Sequence, residues 1–320
     1  MLRALFCAFV SMLFCASAAA QAWPTKPIRI VVPFAPGGAT DLPARLIAPK
    51  LSEALGQPVV VENRPGAGGV IGIDQVAKSP ADGYTFLMAT NGELVMNPSI
   101  YPKLPYSPFK DLVPVSIAVE SPLVMVVSPA SPFKSVTDVI AAAKAKPGSV
   151  TYATAGVGST SHVLTEMFAQ RAGVKLLHVA YKGGAPASTA TMSGEVAMGL
   201  LNLGSASALM TSGRARGLAV TSAARVPEFP NMPTFTDVGV PDFVDGIWVG
   251  LAAPAGVPQE IIRRMSSEVA KALRSPDVRS RMSQLGVHAV GSTPEEAAAR
   301  IQRELPRYTE AIRQADIRAE

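Results

Sequence analysis

The stretch VVPFAPGGATD, residues 31–41, decides how this chain folds. A run of β-branched residues at 28–32 precedes it, and apolar residues with helical spacing follow it from Leu42 onward. Two prolines stiffen the stretch, while Gly37 and Gly38 permit backbone angles that other residues disfavour. This pattern predicts a tight turn from a strand into a helix, and we call residues 33–40 the first glycine turn.

A turn of this kind presents backbone N–H groups at the positive end of a helix dipole. Such groups attract anions, because they carry partial positive charge and have no partner inside the helix. The first glycine turn therefore predicts an anion site. A plain connection between strand and helix, with no ligand, is the alternative that the stretch alone leaves open.

Strands and helices alternate along the rest of the chain. A second glycine turn, residues 64–69, follows a predicted strand at 58–63, and a third, residues 155–162, follows a strand at 150–154. Short connections of this kind are typical of parallel, doubly wound α/β sheets, whose ligands bind beyond the carboxyl ends of the strands. We expect the first and third turns to line a site, with at least one hydroxyl of the third only capping its helix.

Two long apolar segments, residues 115–127 and 244–252, divide the chain. Each is long enough to leave one sheet and enter another. We therefore expect two α/β lobes, one from residues 23–122 plus 247–320 and the other from residues 123–246. Two strands that cross between lobes form a hinge, and the ligand of such a protein binds between the lobes.

Three local features carry further expectations. The loop that follows the predicted strand at 84–89 contains Asn91 and Asn97, which spacing alone favours as turn formers over ligand contacts. The sequence TPEE, residues 293–296, is a capping box that opens the last helix. Pro306 lies inside that helix, so we expect it to kink or split there.

Residues 1–20 have the features of an export signal. Arg3 precedes an apolar run over residues 4–13, and a small-residue cleavage site ends at Ala20, with a second cleavage site after Ala22 as the alternative. The apolar run is too short to anchor the chain in a membrane. We therefore expect a protein that is exported to the periplasm and does not itself span the membrane.

The composition narrows the class of protein further. Both cysteines, Cys7 and Cys15, lie in the export signal, so we expect neither disulfides nor thiolate chemistry in the mature chain. Hydrophobic residues make up 48% of the chain and charged residues 17%, which favours a large core over disorder. The net charge of +5 is not concentrated in any basic run, so it favours small anionic ligands over nucleic acid.

No catalytic or cofactor motif stands out. There is no G-x-S-x-G nucleophile elbow and no Walker A lysine, and GVGSTS at residues 156–161 lacks the third glycine of a dinucleotide fingerprint. The three histidines are far apart in sequence, without metal-ligand spacing. His162 either contacts a ligand or only orders its turn. We expect a binding protein with no cofactor, no metal and no enzymatic activity.

A series of motifs carries a family resemblance across the whole mature chain. In order they are WPTKPI (23–28), VPFAPGGATD (32–41), GQPVVVENRPGAGG (56–69), DGYT (82–85), GSTSH (158–162), YKG (181–183) and APAGVP (253–258). With these motifs the chain resembles the periplasmic solute-binding receptors of the tripartite tricarboxylate transporters, often called Bug-type receptors.

The resemblance implies a type II periplasmic-binding-protein fold that closes on a small carboxylate and delivers it to the transporter's membrane subunits. It also implies that backbone N–H groups and ordered waters hold the carboxylate. The positions that match the family's ligand site are Phe34, Ala35, Gly37, Gly38, Thr40, Asp41, Thr90, Asn91, Asn97, Ser159, Thr160, Ser161, His162, Lys182 and Asn202. A receptor that feeds a signalling protein and an exported enzyme are the alternatives.

Two positions depart from the family pattern. Leu201 and Asn202 stand where the family often has Asp-Asn, so one polar contact is expected to be missing. Glu93 stands in the loop after the third strand, where small or neutral residues are common. If Glu93 points inward, we expect it to disfavour a second ligand carboxylate and to favour an amine or neutral tail. The alternative is a solvated loop glutamate.

Overall fold

The computed structural model describes residues 23–181, 183–284 and 286–318. The predicted export signal and Lys182 lie outside these residues. The strands are β1 (Ile28–Val32), β2 (Val59–Asn63), β3 (Thr85–Thr90), β4 (Leu112–Val127), β5 (Thr151–Thr154), β6 (Leu177–Ala180), β7 (Met198–Asn202), β8 (Arg216–Val220), β9 (Gly246–Pro254) and β10 (His288–Ala289).

Helices connect most of these strands. They are α1 (Asp41–Leu55), α2 (Val70–Ala77), α3 (Asn97–Ile100), α4 (Val136–Ala145), α5 (Thr160–Ala172), α6 (Gly184–Ser193), α7 (Leu203–Thr211), α8 (Gln259–Arg274), α9 (Pro276–Gln284) and α10 (Pro294–Gln314). A π-helical turn, Gly92–Met96, lies between β3 and α3.

Within the described residues, ten strands form one sheet in the order β2-β1-β3-β9-β4-β7-β5-β6, with β8 and β10 paired to β4. Strand β1 pairs in parallel with β2 and β3, and β5 pairs in parallel with β6 and β7. These two parallel groups form the two lobes, and the antiparallel strands β4 and β9 run between them. The expected two-lobe α/β fold with two crossing strands is confirmed.

The crossing strands form a two-stranded ribbon. Their pairing begins with Leu112 opposite Pro254 and ends with Pro122 opposite Gly246, with two irregularities in the register. Beyond Pro122, β4 continues into the second lobe and pairs with both β7 and β8. One strand thus belongs to the sheets of both lobes.

The apolar faces predicted for the helices are mostly buried. Ile47 and Leu51 of α1 and Ile262 and Met265 of α8 are fully inaccessible to solvent and share one core cluster. Leu42, at the start of α1, is the exception, because 37% of it remains exposed. This leucine lines a cavity between the lobes instead of joining the core.

The last helix, α10, runs through Pro306 without interruption, so the expectation that Pro306 splits it is wrong. Buried side chains on both sides of the proline fix the helix to β9 and to the residue before it. The Trp248 indole donates to Glu304 at 2.8 Å, and the Tyr308 hydroxyl donates to Asp245 at 2.6 Å. These bonds offset the loss of the one backbone hydrogen bond that proline cannot make.

Helix α10 also contacts both lobes. The hydroxyl of Thr309 lies 2.8 Å from that of Ser99, in α3 of the first lobe. The Gln170 amide, in α5 of the second lobe, donates to the carbonyl of Ala311 at 3.3 Å. The helix therefore lies across the junction that the ribbon spans.

Close packing at Gly72 gives a first testable prediction. A Cβ at Gly72 would lie 2.8 Å from the carbonyl oxygen of Arg64 and 3.0 Å from the Cα of Pro33, so backbone would have to move. We expect Gly72→Ala to lower the free energy of unfolding by about 1–3 kcal/mol, measured by urea denaturation. Gly184→Ala is the control, because a Cβ there meets no atom within 4 Å. Equal losses in the two variants would contradict this interpretation.

Candidate ligand-binding site

Asp41 holds the first glycine turn in shape. Its buried carboxylate accepts hydrogen bonds from the Gly37 N–H at 2.8 Å, the Arg45 Nε at 2.9 Å and the Asn63 Nδ2 at 2.9 Å. Burial alone raises the pKa of Asp41, but the hydrogen bonds from Arg45, Gly37 and Asn63 hold that pKa below its usual value. Asp41 and the Gly37 N–H are thus already paired within the turn.

Other backbone N–H groups of the turn remain unpaired. Those of Phe34, Ala35 and Gly38 donate to no described residue. Ala35 is exposed and Gly38 is half-buried, while the carbonyl of Gly38 accepts from Leu42 at 3.1 Å. Thr40 is buried at the N-cap position, and its side chain makes no capping hydrogen bond. The turn therefore presents free donors at the start of a 15-residue helix.

The third glycine turn has the same character. Helix α5 begins at Thr160, within the segment 155–162 that the sequence predicts as a turn, and the N–H groups of Thr160 and Ser161 donate to no described residue. Ser159 caps this helix, because its Oγ accepts from the His162 N–H at 3.4 Å and donates to the Gly156 carbonyl at 2.7 Å. The expectation that one hydroxyl caps the helix is confirmed.

His162 orders the third turn. Its Nδ1 accepts from the Gly158 N–H at 3.1 Å, and its ring stacks on that of His178 with 3.7 Å between centroids. The Nε2 of His178 lies 2.6 Å from the Thr154 Oγ1. Burial lowers the pKa of His162 to about 3, with a contribution from the charge of His178, and burial lowers the pKa of His178 to about 4.

The loop after β3 joins the lobes. Thr160 Oγ1, in the second lobe, donates to Asn91 Oδ1 at 3.3 Å, and the Asn91 Nδ2 donates to the Gly246 carbonyl in β9 at 2.9 Å. Thr90, Asn91 and Asn97 are all buried. The interpretation of Asn91 and Asn97 as simple turn formers is wrong, because the intervening apolar residues draw the whole segment into the core as a π-helical turn and α3.

Asn202 lines a cavity of about 200 Å³ that Gly37 and Gly38 of the first glycine turn also line. Its Oδ1 accepts from the Gly204 N–H at 2.9 Å and so caps α7, a helix that the sequence analysis missed. The cavity is lined by Gly37, Gly38, Leu42 and Leu46, by Val119, Ser121 and Ile247 of the crossing strands, and by Asn202, Gly204 and Ser205. Part of the first glycine turn thus faces the end of β7.

The structure brings expected site residues together in two groups. Gly37 and Gly38 share the cavity with Asn202, whereas Thr90 and Asn91 lie against Thr160. Within residues 23–181, 183–284 and 286–318, no hydrogen bond joins the first glycine turn to the third. No group of three or more possible metal ligands occurs in the same ranges. In that part of the chain, no helix has the length and apolar character needed to cross a membrane.

The chain has clear relatives among known proteins. Residues 43–317 match the family model described as the tripartite tricarboxylate transporter family receptor. Protein BugT of Bordetella pertussis is 40% identical over 300 residues, which cover 93% of this chain and 92% of BugT.

Solved structures agree with this match. The R. palustris protein Rpa4515 with adipate is 36% identical, with a TM-score of 0.87 over 93% of this chain and all of that one. The periplasmic binding protein BugD is 33% identical, with a TM-score of 0.84 over the same shares. BugD is a periplasmic binding protein, and the matching family is one of transporter receptors and not of enzymes, as the sequence motifs predict. The chain belongs to the tripartite tricarboxylate transporter family of receptors.

Proposed function

We propose that this protein captures a small carboxylate between its lobes in the periplasm and delivers it to the membrane subunits of a tripartite transporter. The observation that carries the proposal is the set of unpaired backbone N–H groups on both lobes. Those of Phe34, Ala35 and Gly38 belong to the first glycine turn, and those of Thr160 and Ser161 begin α5. Thr160 and Ser161 form the first turn of α5, and Gly38 lies two residues before the N-cap of α1, so these N–H groups lie at or near the positive end of a helix dipole.

Neutral N–H dipoles suit a carboxylate ligand for an energetic reason. A lysine or arginine buried in the site would lose its hydration, and this desolvation cost offsets much of its attraction to the ligand. Backbone N–H groups carry no net charge, so their cost of burial is smaller. Ordered waters complete the ligand shell at little entropic cost and let one scaffold accept acids of different shape.

Ligand binding between the lobes would close them. We propose lobes of residues 23–122 plus 247–320 and of residues 123–246, which turn about the β4–β9 ribbon. A carboxylate that accepts from both glycine turns lowers the free energy of the closed state more than that of the open state, and closure follows from this difference. Residues 1–20 would be removed on export, and Lys182 would add a contact from the second lobe.

The solved relatives support the ligand class. The structure of Rpa4515 is one with adipate, which is a dicarboxylate, and its fold covers 93% of this chain. The family description names a receptor of a tricarboxylate transporter. All fifteen positions named for the ligand site remain part of the proposal, with Asp41, Ser159 and His162 as residues that hold the two turns in shape.

A thermal-shift and calorimetric screen tests the proposal. The probes are mono- and dicarboxylates of two to eight carbons, amino acids and aromatic acids, each paired with its uncharged amide or alcohol. At a hundredfold excess over its dissociation constant, a true ligand stabilises the protein by about 2.7 kcal/mol, and the uncharged analogue does not. If no acid stabilises the protein, or if the analogues act equally, the proposal is wrong. Ligand-dependent co-purification with the transporter's membrane subunits tests the delivery step.

A further inference from the structure

Glu93 is a buried acid whose carboxylate accepts hydrogen bonds from other residues through only one of its two oxygens. The side chain lies in the π-helical turn after β3 and is 7% exposed. Its Oε2 accepts two hydrogen bonds from Thr90, one from the N–H at 2.8 Å and one from the Oγ1 at 2.7 Å. Oε1 accepts from no side chain of the described residues. The solvated loop glutamate, the alternative from the sequence, is therefore wrong.

The position of Glu93 places it beside the proposed carboxylate site. A Cβ built on Gly69 of the second glycine turn would lie 3.4 Å from Glu93 Cγ and 3.3 Å from the Phe34 ring of the first. A Cβ on Gly92 would lie 3.1 Å from Thr90 Oγ1 and 3.2 Å from Thr160 Oγ1 of the second lobe. Glu93 is thus next to residues of both lobes that the proposed ligand touches.

Further unpaired polar groups lie around it. The Asn97 Nδ2 and the Tyr106 hydroxyl are buried and have no partner with good hydrogen-bond geometry among the described residues, although the Asn97 side chain is close enough to Tyr106 to lower its pKa. Burial raises the pKa of both Tyr101 and Tyr106, and the charge of Glu93 raises each of them further. No lysine or arginine of the described residues forms an ion pair with Glu93.

A buried carboxylate without a positive partner is costly. Burial accordingly raises the pKa of Glu93, although the hydrogen bonds from Thr90 and from the backbone N–H of Glu93 itself lower it. A ligand that brings an ammonium or an amide N–H to the free oxygen compensates this cost. A ligand that brings a second carboxylate increases the cost by like-charge repulsion and binds only if a proton is taken up.

We propose that Glu93 determines ligand specificity, and that the ligand is an acid whose far end carries an ammonium or amide donor in preference to a second carboxylate. This inference rests on the proposed function, because the glycine turns must hold the first carboxylate. It separates this chain from its relative with adipate, whose ligand is a diacid. Glu93 would act through Oε1, with Thr90 fixing the orientation of the carboxylate.

The test compares ligands of equal length by isothermal titration calorimetry at pH 7. Glutarate, 5-aminopentanoate and glutarate monoamide form one set, and the four- and six-carbon homologues form two more. In the wild type we expect the two donor-ended ligands of the preferred length to bind about tenfold or more tightly than the diacid. Glu93→Gln should reduce the preference for ammonium over carboxylate by about tenfold or more. Glu268→Gln, which changes a buried glutamate in α8, should leave the ranking unchanged.

A second measurement avoids dependence on the folding of Glu93→Gln. Titrations of the wild type in two buffers with different ionisation enthalpies count the protons taken up on binding. We expect proton uptake with the diacid and none with the ammonium acid. Tighter binding of diacids without proton uptake, or an unchanged ranking in a folded Glu93→Gln, would overturn this inference while leaving the proposed function intact. If no acid of any kind binds, the proposed function fails first.

Discussion

Replacing Asp41 by alanine is expected to lower the free energy of unfolding by about 2–4 kcal/mol and to weaken carboxylate binding by about tenfold or more. The buried carboxylate is the acceptor for the Gly37 N–H and the Asn63 amide, and a hydrogen bond to a charged group contributes about 1.5–3 kcal/mol. Without it the first glycine turn is no longer fixed, so the free N–H groups near Gly38 must be ordered when the ligand binds. Urea denaturation and calorimetric titration measure the two effects.

Asp138→Ala is the matched control for this substitution. Asp138 also lies in the first turn of a helix and accepts from backbone N–H groups, at Lys134 and Ser135, but it belongs to an exposed capping box. We expect it to cost about 1 kcal/mol and to leave binding unchanged. If Asp41→Ala has no greater effect than Asp138→Ala, then Asp41 does not organise the site. Since the fold lowers the pKa of Asp41, its contribution is complete at neutral pH and is lost as the pH falls through that lowered value.

Acidification from pH 7 to pH 4 is expected to cost roughly 3 kcal/mol of folding free energy through His162 alone. The pKa of His162 falls from its usual 6.5 to about 3 in the folded protein, because the ring is buried beside His178. Between these two values the unfolded chain binds a proton that the folded chain does not. Stability is therefore complete above about pH 6.5 and declines as the pH falls toward about 3.

His162→Asn isolates this effect, because an asparagine Oδ1 can accept from the Gly158 N–H in place of the histidine Nδ1. Urea denaturation at pH 7 and pH 4 gives the loss of stability for each protein, and acidic groups common to both cancel in the comparison. We expect the loss to be smaller in the variant by roughly 3 kcal/mol. His288→Asn, at an exposed position in β10, should behave as the wild type does. Equal losses in the wild type and His162→Asn would refute the assignment.

Local signals explain why so much of the fold is predictable. Three consecutive signals surround the first glycine turn: the β-branched run before it, its two glycines and the helical spacing after it. Each of them indicates the same strand–turn–helix structure. The crossing strands are also predictable from sequence, since long apolar runs such as residues 115–127 and 244–252 are typical of strands buried on both faces. The capping box at Thr293 correctly marks the start of α10.

What the sequence does not predict depends on distant contacts. Helices α7 and α9 have nine residues each and begin without a strong apolar pattern, so only packing against the lobes reveals them. His162 and His178 lie far apart in sequence, and their rings meet because β5 and β6 pair in parallel below α5. Glu93 follows a glycine and reads as a loop residue, yet the apolar residues after it bury it with Thr90.

The ribbon of β4 and β9 limits how the lobes can move. The two strands pair from Leu112 to Pro122. Sliding one strand along the other would break many of the hydrogen bonds between them at once, whereas twisting the ribbon distorts each bond only slightly. Helix α10 touches both lobes near this axis, at Ser99 and Gln170, and any rotation must keep or exchange those contacts. We therefore expect the lobes to close by a small twist about this ribbon and not by translation of one lobe against the other.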